Sequence, residues 1–490
     1  MQESIFLGFA KGIIARIEEN RQGIAFWIAL LYFVCIVKAI FGWFASLLTT
    51  FSRPVFFLAG WPLFYFNIFI SLALILSFFT KETVDKTSKA VFAFSFIVII
   101  IPIVDFIAYG PEVWRIFPMS IEEIAAQFFS LAGLLPGSVL HLGQGLTFWL
   151  AQALIAVYVF TKKGSWLKAL GAMFCFYVAC LALSSVPFLA SILFSLGNTY
   201  NYTVIMHGLA LYALSAFLLA VIWLFIYDRA LLKKVVLECK PERAAHYLAL
   251  VLMGWLYALT LFSIEKPNFL GLFFASFSIF LAFESALACN NLFDKELKGI
   301  KARQYRGICL SLFTLALVLA YFVGETIFAL VLSTMLLGIA YSAKPISLKN
   351  LGFLNNVVIG LISALAFIVG IITQNPKIPF NATLAVFATF SLAANIKDLK
   401  DFESDKRKGI QTLPVLLGKE KGLKVIAVLS SVSFIIPAAF LDYPNLLLAG
   451  IIFGTLNFLA LMKTKKETAT FALYFAYALL FALSLLYRIP

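Results

Sequence analysis

FNATLAVFATFSLAANIKDLKDFESDKRKGIQTLPVLLG, residues 380–418, carries two features that conflict in one short stretch of chain. Residues 380–396 are an apolar run long enough to cross a bilayer. The run ends directly in Asp398, Asp401 and Asp405, spaced i, i+3 and i+7, which share one face of a helix. A carboxylate cluster at the mouth of a membrane helix is costly unless something compensates it. Mg²⁺ bound together with a diphosphate is such a compensator, because Mg²⁺ is commonly held by one or two carboxylates plus substrate phosphates.

Working outward, the rest of the chain has the same apolar character. Its 490 residues are 62% hydrophobic and 13% charged, with a mean hydropathy of +0.98. Soluble domains are nearer half apolar and a quarter charged. The sequence therefore predicts an all-α, polytopic membrane protein. Apolar runs of spanning length cover 24–49, 55–80, 90–109, 138–161, 169–196 and 203–228 in the first half. In the second half they cover 244–263, 268–289, 307–323, 326–342, 352–373, 380–396, 425–440, 446–461 and 469–487. The expectation is six transmembrane helices followed by nine, with 115–135 as an interfacial helix. No stretch of about 100 residues lacks a span, which leaves no room for a separate water-soluble domain. The segment MQESIFLGFAKGIIARIEENRQG at the N-terminus is amphipathic. It lacks the short apolar core and small-residue cleavage site of a signal peptide.

Charge tests this map. With the N-terminus in the cytoplasm and strict alternation, 32 of the 38 Lys and Arg residues fall on the cytoplasmic side. Five fall on the other side and Lys38 lies within the first span. That asymmetry is a positive-inside signal and sets the localisation as a multi-pass cell-membrane protein, with cytoplasmic N-terminus and polar loops. The net charge of +14 is read as topology with some affinity for anionic membrane lipids. Nucleic acid is not expected as a partner, because the charge is spread over many short loops. The six cysteines make no CxxC pair, and the pattern suggests neither a disulfide framework nor a zinc site. Oligomeric state is not legible.

A hinge, DRALLKKVVLECKPER, separates two membrane domains, 1–235 and 236–490. The polar motifs concentrate in the second. ALACNNLFDKELKGIKARQYRG, 286–307, places Asn290 and Asp294 four apart, on one helix face. An amide oxygen with a carboxylate is a hard-oxygen set suited to Mg²⁺. AYSAKPISLKNLGFLNN, 340–356, is a second polar loop on the same side. Lys344 and Lys349 in it, with Lys397, Lys400, Lys406 and Arg407, suit phosphate oxygens. Facing carboxylate clusters repel unless cations lie between them, and Mg²⁺-bound diphosphate fits that position. The 53 Phe residues furnish walls for an isoprenoid tail and ring faces that stabilise a cation. Lys38 and Asp105 lie inside spans, where ionisable groups are functional candidates by default, and Lys38 is near enough to an end to snorkel. Glu284, in the span before Asn290, is a candidate to point into the cavity. His141, His207 and His246 are scattered and read as packing residues.

From about 240 to 490 the chain resembles the UbiA superfamily of intramembrane prenyltransferases. KDLKDFESDKRKGIQTLPVLLG is similar to the second aspartate-rich motif of that family, with Gly409, Thr412, Leu413 and Pro414 following. YSAKPISLKNLGFLNNVVIG resembles its YS-x-x-P loop through Tyr341, Ser342, Pro345, Leu348, Lys349, Gly352 and Asn356. Asn290, Asn291 and Asp294 resemble the start of its first motif. The resemblance implies a nine-helix bundle and Mg²⁺ held by Asn290, Asp294, Asp401 and Asp405, with Asp398 orienting acceptor or metal. Tyr341, Lys344, Lys349 and Lys397 are the implied diphosphate contacts. The implied partners are a prenyl diphosphate donor and a lipophilic acceptor, either an aromatic quinone precursor or a lipid. Ionisation of the donor gives an allylic cation, which the acceptor attacks and then loses a proton. Lys298 replaces the last acidic position of the first motif, and Asn291 stands where Asp is usual. Lys298 lies one turn after Asp294, to pair with it or to replace one metal ion's charge. The alternatives are a lipid-binding or lipid-transport protein with altered chemistry, and transfer of another group, such as phosphoribose, to a polyprenyl phosphate. The first half resembles no family.

Overall fold

The computed structural model describes residues 5–47, 60–110, 117–118, 120–131, 140–193, 202–293, 302–343, 345–441, 444–464 and 467–487. Every regular element among them is helical. Fourteen helices are long and apolar enough to cross a membrane, five in the first half and nine in the second. The helix Ile24–Leu47 stands where the first span was expected. The chain divides into two compact units, Met1–Lys234 and Val235–Pro490.

In the first unit, Lys38 is buried and does not snorkel. Its ammonium sits 3.1 Å from the centroid of the Trp61 ring and 5.2 Å from that of Tyr65. Ring faces are the partner an apolar surround can offer a cation. Asp105 is buried and accepts a hydrogen bond from the backbone N–H of Gly143 at 2.7 Å. A short helix, Ile121–Phe129, begins at Ser120, whose hydroxyl accepts from the N–H of Glu123.

The second unit runs α1 (Pro241–Leu261), α2 (Phe269–Phe293), α3 (Ala302–Val323), α4 (Glu325–Ser342), α5 (Phe353–Ile372), α6 (Phe380–Ala393), α7 (Lys397–Lys408), α8 (Leu413–Leu417), α9 (Lys419–Val432), α10 (Ile436–Phe440), α11 (Pro444–Thr464) and α12 (Glu467–Leu486). α2 packs on α3, and α5 packs on both α1 and α6. Small residues let α1 and α5 meet backbone to backbone. A Cβ on Gly254 would collide with the carbonyl oxygen of Phe367, and one on Gly370 with that of Val251. Between membrane helices, where water supplies no driving force, such close approach maximises dispersion contacts.

One pairing is not visible in the sequence. Cys289 of α2 and Cys309 of α3 lie side by side, placed for a disulfide, with Cα atoms 6.0 Å apart. They are 20 residues apart in sequence, and only the antiparallel packing of the two helices brings them together.

Candidate active site

The aspartate segment is helical, as the spacing requires. α6 passes through a 3₁₀ turn, Ala394–Ile396, into α7. The helix stops at Gly409, whose φ of 71° falls in the left-handed region that favours glycine. The N–H of Ile410 donates to the Asp405 carbonyl, and that of Gly409 to the Lys406 carbonyl. This pair of bonds satisfies carbonyls that the helix end would otherwise leave open. Thr412 then starts α8, with Pro414 in its first turn, where a missing N–H costs nothing. Along α7, Asp398 is buried, Asp401 is exposed and Asp405 is half-buried.

Two polar networks tie the three motifs together. In the first, the Asn290 Oδ1 of α2 accepts from the Ser342 hydroxyl at 2.8 Å and from the Lys349 ammonium at 3.0 Å. In the second, the Lys397 ammonium donates to the Tyr341 hydroxyl at 3.1 Å and to Asn355 Oδ1. Tyr341 and Ser342 are adjacent, so the YS loop bridges the two networks. Lys397 also lies within electrostatic reach of Asp398, Asp401 and Asp405. Asp398 is held from α5, accepting from Asn356 Nδ2 at 3.4 Å. Asn356 donates as well to Asn395 Oδ1 at 2.8 Å. Gly352 fixes the remaining join. Its φ is 52°, and a Cβ there would strike the Gln411 carbonyl oxygen just after α7.

These networks close one end of a cavity of about 490 Å³. Lys240, Arg243, Asn290, Tyr341, Ser342, Lys349, Lys397 and Glu467 form its polar rim. Below the rim the walls are apolar and aromatic. His246 packs edge-on against Phe390 at 4.6 Å, and Tyr247 lies 5.3 Å from Phe283. His246 also comes within 3.4 Å of the Ser363 hydroxyl.

Asp294, Lys298 and Lys344 lie outside the described residues. Asn290, Tyr341, Lys349 and Lys397 all line the cavity, whereas Asp398, Asp401 and Asp405 stand beside Lys397 and off the cavity wall. Glu284 turns elsewhere. It is buried, interacts with the Cys239 thiol and is absent from the cavity wall. Asn291 also faces away, donating to Glu238 Oε2 at 3.2 Å. Sequence reasoning missed Arg243, Asn355 and Glu467. Arg243 and Glu467 pair at 3.9 Å across the rim, and Asn355 is buried beneath Lys397. The available signal was a polar side chain in the first turn of an apolar helix.

Two carboxylates of the expected donor set suit Mg²⁺, although no group of three or more His, Cys, Asp or Glu among the described residues is placed to hold a metal ion. The carboxylate oxygens of Asp401 and Asp405 are hard ligands, and the exposure of Asp401 leaves it open to an ion. Asn290 fits less simply, because its amide oxygen already accepts two hydrogen bonds, one for each lone pair.

The site is thus an apolar cavity with a largely cationic rim beside an aspartate helix. Residues 298–486 match the model of the UbiA prenyltransferase family, and this part of the chain is a UbiA-family domain. The match takes in the YS loop and the aspartate helix, and begins just after the Asn290–Asp294 segment. Digeranylgeranylglyceryl phosphate synthase of Methanosphaera stadtmanae is 26% identical over 216 residues, which is 39% of this chain and 78% of that protein. The enzyme of the same name from Pyrococcus horikoshii is 33% identical over 123 residues, 25% of this chain and 42% of that protein. Among solved structures, a UbiA homologue from Archaeoglobus fulgidus bound to DMAPP and Mg²⁺ is 19% identical, with a TM-score of 0.41, covering 51% of this chain and 97% of that one. An apo UbiA homologue from Aeropyrum pernix is 13% identical, with a TM-score of 0.42, covering 51% of this chain and all of that one.

Proposed function

We propose that the second unit transfers a prenyl group from a prenyl diphosphate to a hydroxyl of a glycerol-phosphate lipid. The observation that carries this is the cavity itself. One apolar chamber ends at a rim where Asn290, Tyr341, Lys349 and Lys397 converge beside Asp398, Asp401 and Asp405. A prenyl tail suits the walls, and a diphosphate suits the rim.

Lys349 and Lys397 give point charges to diphosphate oxygens. Asn355 and Tyr341 hold the Lys397 ammonium in place. Asp401 and Asp405, with Asp294 and Asn290 from the first motif, would hold Mg²⁺. Bound there, it would neutralise the diphosphate and favour its departure. The C–O bond to the diphosphate breaks, its electron pair leaving with the diphosphate. The acceptor hydroxyl oxygen bonds to the allylic carbon, and its proton is released. Aromatic faces on the upper wall stabilise positive charge at that carbon. Arg243 and Lys240 stand on the same rim and suit a second anion, the acceptor's phosphate. The similarity to enzymes named digeranylgeranylglyceryl phosphate synthase favours a geranylgeranyl donor and a phosphate-bearing lipid acceptor.

The test uses the full chain in vesicles with geranylgeranyl diphosphate and geranylgeranylglyceryl phosphate. Diphosphate release is expected to need Mg²⁺, to stop with EDTA, and to fall at least about 100-fold in Asp401→Ala. Undiminished turnover in that variant, or lipid binding with no diphosphate released by the parent, sinks the proposal.

A further inference from the structure

The cavity has a floor, and its position sets a length. On α12, Glu467 stands at the rim and Phe481 lines the same cavity fourteen residues further on, about 21 Å deeper at ~1.5 Å per residue. Phe481 is 5% exposed and packs into a sealed cluster with Trp255, Leu256, Leu259 and Leu485. On α1 the cavity-lining residues end at Met253, and Trp255, Leu256 and Leu259 beyond it belong to that cluster. Leu441 closes the third side, touching both cavity and cluster.

The volume converts into carbon atoms. A dry apolar cavity of about 150 Å³ accepts the six carbons of benzene. On that scale the 490 Å³ of this cavity, its rim included, seats at most roughly twenty carbons. That is one geranylgeranyl chain. The product named for the enzymes similar to this chain carries two such chains, twice what this cavity holds.

We propose that Phe481 is the chain-length stop of the donor site, and that the cavity seats a single prenyl chain of about twenty carbons. The proposal rests on the prenyl-transfer function above. Replacing Phe481 by alanine removes six ring carbons, close to the five of an isoprene unit, so the floor drops by about one unit. Replacing it by tryptophan raises the floor.

The experiment compares kcat/KM of the full chain in vesicles for prenyl diphosphates of ten to thirty carbons, with geranylgeranylglyceryl phosphate and Mg²⁺. The parent is expected to peak at twenty carbons and to lose at least about tenfold at twenty-five. Phe481→Ala is expected to raise the ratio of the twenty-five-carbon to the twenty-carbon donor about tenfold. Phe481→Trp is expected to move the peak to fifteen carbons. If the alanine variant does not fold, the tryptophan variant decides. An unchanged profile in a folded, active variant overturns the chain-length stop and leaves prenyl transfer standing. No transfer by the parent from any donor overturns prenyl transfer and the stop with it.

Discussion

Lys397 is the residue on which the site turns. It is the only described side chain that touches both Tyr341 and Asn355 while sitting within reach of the three aspartates. In the proposed reaction its cation would hold carboxylates and diphosphate on one side of the cavity mouth. Lys397→Met keeps the apolar stem and removes the charge. Losing charge-assisted hydrogen bonds of about 1.5–3 kcal/mol each lowers kcat/KM for the donor by roughly 10- to 100-fold. Tyr341→Phe removes one of those charge-assisted bonds, at about 1.5 kcal/mol or more, and lowers it about tenfold. Steady-state kinetics at varied donor and fixed acceptor check both, and unchanged donor kinetics in Lys397→Met refute the role. Lys397 and Lys349 were legible in the sequence because charge beside apolar spans demands a reason, and Tyr341 only through the resemblance of its loop to the YS-x-x-P pattern. Arg243 and Asn355 were not, because their roles depend on which helices meet at the rim. His246 was expected as a packing residue. Its ring contacts agree, although it also lines the cavity.

At the scale of elements, two glycines register the loops. Gly409 ends α7 so that Asp405 stays on the helix while the chain turns into α8. Gly352 lets the YS loop lie against Gln411, which sets the spacing between Lys349 and the aspartate face. Gly352→Ala meets two penalties, a backbone at φ 52° and ψ −116° that lies outside the wells open to residues with a Cβ, at about 1–3 kcal/mol, and a collision with the Gln411 carbonyl. The expected outcome is a melting temperature several degrees lower in detergent, about 2–4 °C per kcal/mol for a unit of this size. Donor KM should rise at temperatures where the variant is still folded. A variant that melts with the parent refutes the contact. Most span boundaries were legible to within about six residues, because hydrocarbon thickness dictates them, but the run expected over 169–196 breaks after Ser184, where a separate short helix, Val186–Leu193, follows. The Cys289–Cys309 pairing was not legible, because a spacing of 20 residues across two helices carries no local signature.

At the scale of the whole molecule, the open quantity is the parity of the crossings. Fourteen helices satisfy length and hydropathy among the described residues. Ile24–Leu47 has 24 residues, about 36 Å at ~1.5 Å per residue, against a hydrocarbon core of about 30 Å. Its length alone suffices for a fifteenth crossing. Parity has a sharp consequence. With fifteen crossings the termini lie on opposite sides, and with fourteen they share one. The distribution of 32 basic residues against five holds only for the odd number, because dropping the first crossing would exchange the sides of every later loop relative to the N-terminus. Each Lys or Arg near an anionic leaflet is worth about 1 kcal/mol, so the asymmetry predicts one orientation. Reporter fusions measure this directly. A reporter that fluoresces only in the cytoplasm is expected to light at the N-terminus, and one active only outside at the C-terminus. A third reporter, inserted after Gly418, is expected on the cytoplasmic side, where the aspartate helix would meet soluble Mg²⁺ and prenyl diphosphate. Both termini reporting from one side would remove Ile24–Leu47 from the membrane, and an external Gly418 would place the donor site away from its cytoplasmic supply.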